Sequence, residues 1–155
     1  MKSISRQLAL FILASSINAH AIADDAVEID GAWIAEAPPV ARVLAAYMEI
    51  ENETDQNRQA VAMQCEAFER AEFHRSVEKD GIASMEHLSV LEIAADSELE
   101  LKPGGYHIML FNPAQRLLAG DKTRCSMEFD NGVSVRFELE VRKPSQQDHS
   151  HHHHH

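Results

Sequence analysis

From Val27 to Val141 the chain alternates apolar and polar residues in short runs separated by turn chemistry. A period of two buries one side only as a β-strand, because successive strand side chains point to opposite faces. The runs fall at residues 27–29, 43–51, 58–65, 67–74, 99–101, 106–111, 124–129 and 133–141. Between them stand Pro38-Pro39, the polar stretch from Asn52 to Asn57, and Asp130-Asn131-Gly132. In the last of these, Asn-Gly readily supplies the positive φ angles of a tight hairpin turn. Helix is confined to one short turn at most, between Pro113 and Leu118. Eight or so strands at this spacing predict an all-β domain, either a sandwich or a Greek-key barrel. A chain of 155 residues suits one such domain around a single core.

One stretch inside this pattern carries chemistry that a β core does not need. His74, Met85, His107 and Met109 follow the spacing H-x10-M-x21-H-x-M. His107 and Met109 lie in Tyr106-His107-Ile108-Met109-Leu110, directly after Pro103-Gly104-Gly105, so they are two apart on a strand and share a face. Taken singly, a strand methionine is mostly core filler and a histidine mostly a surface or satisfied residue. Together, two imidazoles and two thioethers form a soft donor set that suits Cu(I) better than Zn(II), Mg(II) or Ca(II). A thioether binds without losing a proton and forms no disulfide, so such a site serves in an oxidising compartment. His87 shares the face of Met85 if that segment is extended, which makes it a candidate auxiliary ligand. Met48, Met63 and Met127 fall on apolar parities and read as core.

This spacing, with its flanking Pro-Gly-Gly-Tyr-His-Ile-Met-Leu, resembles the PCu(A)C family of periplasmic copper chaperones. The resemblance extends over roughly residues 27–143 and includes Gly31-Ala32-Trp33, Ala45-Ala46-Tyr47 with Asn52, Asp80-Gly81 before Met85, and Leu118-Ala119-Gly120-Asp121. It implies a cupredoxin-like Greek-key β-barrel or sandwich, with Cu(I) held by His74, Met85, His107 and Met109. It also implies delivery of Cu(I) to the dinuclear copper centre of cytochrome c oxidase subunit II, often alongside Sco-type proteins. Two departures stand out. Arg75 replaces a methionine that many members carry after the first histidine, and Ile34-Ala35 follow the tryptophan where members often have an arginine. Neither touches the four principal positions.

The two ends read differently from the middle. Lys2 and Arg6 precede an apolar run from Leu8 to Ala14, and Ala19-His20-Ala21 and Ala21-Ile22-Ala23 each suit a signal peptidase. The expectation is an exported protein, periplasmic and soluble, with residues 1–23 removed and the copper domain at 24–143. The apolar run is far short of the about 20 residues that span a bilayer. Residues 144–155 form a polar tail ending in His149, Ser150 and the run His151, His152, His153, His154 and His155, expected to be disordered. The leader favours a native tail, and a purification tag is the alternative. Imidazoles without thioethers favour Cu(II), Ni(II) or Zn(II).

Charge and cysteine usage narrow the function classes. Without residues 1–23 the balance is 12 basic against 25 acidic residues, a net charge of −13, which disfavours nucleic acid as a partner. The acids, among them Glu49, Glu51, Glu98 and Glu100, alternate with apolar residues as a solvated strand face does, without a Ca(II)-loop spacing. No Gly-x-Ser-x-Gly elbow, phosphate-cradling loop or Cys-x-x-Cys pair points to an enzyme. Cys65 shares its apolar parity with Val61 and Met63, and Cys125 with Met127 and Phe129. In an exported chain this predicts a disulfide between neighbouring strands, against the alternative of two buried thiols. A blue-copper electron carrier would need a cysteine thiolate beside its histidines, and no histidine follows Cys125 before the tail. Copper sequestration without delivery would use the same ligands as a chaperone.

Overall fold

Ten strands carry the alternation in a computed structural model that describes residues 27–143. They are β1 (Val27–Ala35), β2 (Val43–Asn52), β3 (Arg58–Cys65), β4 (Phe68–Lys79), β5 (Ile82–Leu88), β6 (Leu91–Ile93), β7 (Ser97–Leu101), β8 (Tyr106–Pro113), β9 (Lys122–Phe129) and β10 (Ser134–Arg142). The leader at 1–23 and the tail at 144–155, with His149 and His151 to His155, lie outside the described residues. Among the described residues no helix is long and apolar enough to cross a membrane.

The strands hydrogen-bond in the order β5-β4-β8-β7-β2-β1-β10-β9-β3-β6, and β8 also pairs with β2. β1 joins the halves: it runs antiparallel to β2 and, through Trp33, Ile34 and Ala35, parallel to β10. Its register shifts between Asp30 and Trp33, where Gly31 takes a φ of 58°, a bulge that redirects the strand from one partner to the next. One core lies between the halves. Ile34, Ala46, Ile50, Ile108 and Leu110 enter it from one half, and Met127, Phe129, Leu139 and Val141 from the other. Met48 and Met63 are buried there as well.

Three local features depart from simple alternation. Val61 is exposed, although its parity with Met63 and Cys65 predicts an inward side chain. The β3–β9 register shifts between Ala60 and Ala62, and the extra residue turns Val61 outward while Ala60, Met63 and Cys65 stay buried. At the last hairpin only Gly132 takes a positive φ, 83°, while Asn131 does not. The Gly132 N–H donates to the Phe129 carbonyl (2.9 Å) and the Phe129 N–H to that of Val133 (2.9 Å), so a type I turn ends in a left-handed glycine. Finally, Leu91–Ile93 is a strand too short to establish a period of its own.

Two long-range ties fasten the loops. Asn52 is fully buried, and its amide donates to the carbonyls of Gln56 (2.9 Å), Ala94 (2.8 Å) and Ile93 (3.3 Å) while its oxygen accepts from Thr54. This single side chain locks the β2–β3 turn to the end of β6. Cys65 and Cys125 stand directly opposite each other on β3 and β9, with Cα atoms 4.1 Å apart, and are joined by a disulfide. The two cysteines are 60 apart in sequence, and closing a loop of that length is worth about 4 kcal/mol on the chain-entropy model.

Candidate metal site

The site is built on β4, which lies between β5 and β8. Asp80 and Gly81, with φ of 54° and 75°, form a two-residue turn between the paired residues Lys79 and Ile82. Both positive angles match the twist of the strands they join. This turn sets the β4–β5 register, so His87 stands opposite His74 and Met85 opposite Ser76. On the other side, β8 brings His107 opposite His74 and Met109 opposite Glu72. Residues directly opposite share a face, and so do residues two apart. His74, Met85, His87, His107 and Met109 therefore occupy one face of three adjacent strands. The reverse face carries Phe73, Ile108 and Leu110 into the core.

The imidazoles form a row. The rings of His74 and His107 have centroids 5.9 Å apart and near-parallel planes at 30°, and His87 meets His74 edge-on at 5.4 Å. Met109 comes from the row on one side of the histidines and Met85 from the row on the other. Exposure is graded across the face: His107 is 5% exposed, and Met85, on the edge strand, is 63% exposed. The site is thus anchored on the inner strand and open at the hairpin.

Hydrogen bonds hold both inner rings. Glu72 Oε2 lies 3.0 Å from His74 Nε2, and the Gly105 carbonyl lies 3.1 Å from His107 Nδ1. Glu72 is itself held by Arg70, whose Nε donates to Oε1 at 2.6 Å and whose guanidinium packs over Phe111 at 3.9 Å. Hydrogen bonds from His74 and then Arg70 hold the Glu72 carboxyl below the usual carboxylate range. His74 Nδ1 is buried without a hydrogen-bond partner. An orphaned ring nitrogen beside a second imidazole is what a soft cation would fill, so the residues present fit copper.

Arg75 lies on the opposite parity to His74. Its guanidinium donates to Glu86 at 2.7 Å and sits 5.9 Å from the Tyr106 ring, so a methionine here would share neither row nor face with the imidazoles. Both cysteines are in the disulfide, which leaves no thiolate for a blue-copper centre. Glu72 is a site residue that spacing alone does not single out, although Glu72-x-His74 on one strand places it on the same face.

The same outer face continues along β2, where Ala45 pairs with Met109. Next comes Tyr47, its ring 4.8 Å from that of Trp33, and beyond it Glu49 and Glu51. These acids are not scattered. Glu28, Glu51 and Glu98 form one row across β1, β2 and β7, and Asp30, Glu49 and Glu100 form the next. Carboxylate oxygens of Glu28, Asp30 and Glu51 lie within 4.8 Å of one another. Burial first, then the neighbours Glu53, Glu28, Glu98 and Glu49, raises the Glu51 carboxyl above its ordinary range.

Comparison with known proteins places the fold and the family. A family model described as "Putative lipoprotein LpqE-like" matches residues 27–141. The protein "Putative lipoprotein Lxx21020" of Leifsonia xyli subsp. xyli is 31% identical over 119 residues, 76% of this chain and 70% of that protein. The solution structure of CuI-DR1885 from Deinococcus radiodurans is 26% identical, with a TM-score of 0.62, and the match covers 84% of this chain and 86% of that one. The copper-bound PCuAC domain from PmoF2 shares the fold at 17% identity, with a TM-score of 0.65 over 76% of this chain and 93% of that domain. With its cupredoxin-like β fold, this chain belongs to the LpqE-like family and is of the PCuAC type.

Proposed function

We propose that this protein is a periplasmic copper chaperone that holds Cu(I) through His74, Met85, His107 and Met109 and passes it to another protein. The observation that carries the reading is the register of β4 with β5 and β8, which sets an imidazole pair between two thioether-bearing rows on one face. Imidazole and thioether are soft enough for Cu(I), and neither needs a thiolate that would oxidise outside the cytoplasm. Graded exposure suits transfer. The buried ring of His107 retains the ion, while Met85 on the edge strand is the donor an acceptor's ligand displaces first. His87, opposite His74 and exposed, is an auxiliary nitrogen at the same open side.

We infer the rest from the leader, the tail and the family resemblance. Residues 1–23 direct export and are removed, and residues 24–143 form the copper-binding domain. The histidines of 149–155 collect Cu(II) and raise its local concentration near the site. The acceptor is the dinuclear copper centre of cytochrome c oxidase subunit II, directly or through a Sco-type protein. The test is to mix the Cu(I)-loaded protein with the copper-free soluble domain of subunit II, with and without a Sco-type protein, and follow the dinuclear centre's absorption. Delivery predicts that the acceptor's band grows as the donor loses copper. Copper retained by the donor under all conditions would replace delivery with sequestration.

A further inference from the structure

The two inner imidazoles are hydrogen-bonded through opposite ring nitrogens, Nε2 of His74 and Nδ1 of His107. A carboxylate or a carbonyl oxygen only accepts hydrogen bonds, so the ring nitrogen beside it carries the hydrogen. Glu72 Oε2 at 3.0 Å thus places the hydrogen of His74 on Nε2, and the Gly105 carbonyl at 3.1 Å places that of His107 on Nδ1. The lone pairs are then on Nδ1 of His74 and Nε2 of His107. The first of these is the buried nitrogen without a partner. Leaving such an atom unsatisfied is destabilising, a cost that nothing structural in the fold requires.

We propose that Glu72 is a positioning residue that locks His74 in the Nε2–H form, so that copper binds Nδ1 of His74 and Nε2 of His107. The proposal rests on the copper-site reading above. Nδ1 sits next to Cβ, whereas Nε2 is at the far tip of the ring. Mixed use of the two therefore seats the ion close to the β4 backbone while His107 reaches towards it from β8. Glu72 is suited to the task because its other oxygen is occupied: Arg70 takes Oε1, and Phe111 backs the guanidinium. Phe111, Arg70, Glu72 and His74 are successive positions on one face, since Arg70 pairs with Phe111. The carboxylate also makes the imidazole a stronger donor, and loss of an outer-shell partner of this type typically weakens metal binding about 10- to 100-fold.

The test is long-range proton–nitrogen NMR of the full chain with 15N-labelled histidine, without metal and after loading with Cu(I). The metal-free wild type should show His74 as the Nε2–H tautomer and His107 as the Nδ1–H tautomer. Cu(I) should then shift Nδ1 of His74 and Nε2 of His107. Glu72→Ala should mix the His74 tautomers and weaken Cu(I) binding about 10- to 100-fold, with Glu72→Gln, which keeps an accepting oxygen, restoring much of both. The wild-type spectra need no variant, so a misfolded Glu72→Ala would leave the test intact. A Cu(I) shift at Nε2 of His74, or an unchanged tautomer in folded Glu72→Ala, overturns the role of Glu72 and spares the copper site. Copper that perturbs neither ring overturns both.

Discussion

The outer face of β2 borders two surfaces made by the same backbone rule and opposite chemistry. At one end Ala45 leads through Met109 to the imidazole row; further along, Glu49 and Glu51 stand between Asp30 and Glu28 on β1 and Glu100 and Glu98 on β7. Both surfaces arise because paired strands stack side chains of one parity into rows. At the histidine end each inner ring has one hydrogen-bond partner that leaves the other nitrogen free for an ion. At the acidic end like charges face one another, with Lys102 against Glu100 as the cation bound there. Rows of carboxylates are hard, hydrated and mutually repelling, whereas the other end carries soft donors with two of its rings held by hydrogen bonds. On the proposed reading, donor softness and donor direction, rather than the density of ligating atoms, select the histidine end for copper.

The largest effect should come from breaking the soft end. His107→Ala removes the most buried ligand and should weaken Cu(I) binding by about 100-fold or more, since outer-shell partners alone are worth about 10- to 100-fold. Met109→Ala should follow in the same direction. Competition with a Cu(I) chelator measures both, and acidification should weaken the wild type because protons compete for imidazole nitrogen. The control that sharpens the contrast is Glu49→Gln with Glu100→Gln. Those acids lie beyond the Trp33–Tyr47 pair, and at physiological salt the affinity should stay within about twofold.

The smallest effect concerns stability at the acidic end. Glu51 binds its proton more tightly in the folded chain than an ordinary carboxyl does, through burial first and its acidic neighbours after that. Such a group favours the folded state fully below the unfolded carboxylate range and loses that contribution as pH rises through its raised folded value. Glu51→Gln should therefore raise the melting temperature at neutral pH, with the gain shrinking as the solution is acidified through the carboxylate range. Thermal melts at the two pH extremes decide it, and a variant that melts lower at neutral pH would show the row to be stabilising.

Much of this organisation is legible in the sequence, and the remainder is hidden for definite physical reasons. Period two marked most strands because each buries one face. Two strands escape: Ile82–Leu88 because nearly all of it is exposed and carries no alternation, and Leu91–Ile93 because three residues define no period and its burial depends on Arg58 to Ala60, a non-local partner. Val61 misled because a bulge shifts parity without a glycine or proline to announce it. In the proposed site, spacing picks out the candidate donors, and the turn at Asp80-Gly81 and the pairing with β8 bring them onto one face. The carboxylate rows show the same limit: each strand's alternation was visible, while the alignment of β1, β2 and β7 was not. Glu72 stayed hidden because an acid two residues from a histidine looks like any other exposed strand position.

A copper ion held on the β4 face by nitrogen and sulfur together would have a distinctive mixed coordination shell. X-ray absorption at the copper edge, on Cu(I)-loaded protein lacking residues 144–155, reads this directly without the histidine tail. The expected shell holds imidazole nitrogen and thioether sulfur in equal number, with sulfur reduced in Met109→Ala and in Met85→Ala and lost when both are replaced. A sulfur-free shell in the wild type, or one unchanged by both replacements, would contradict it.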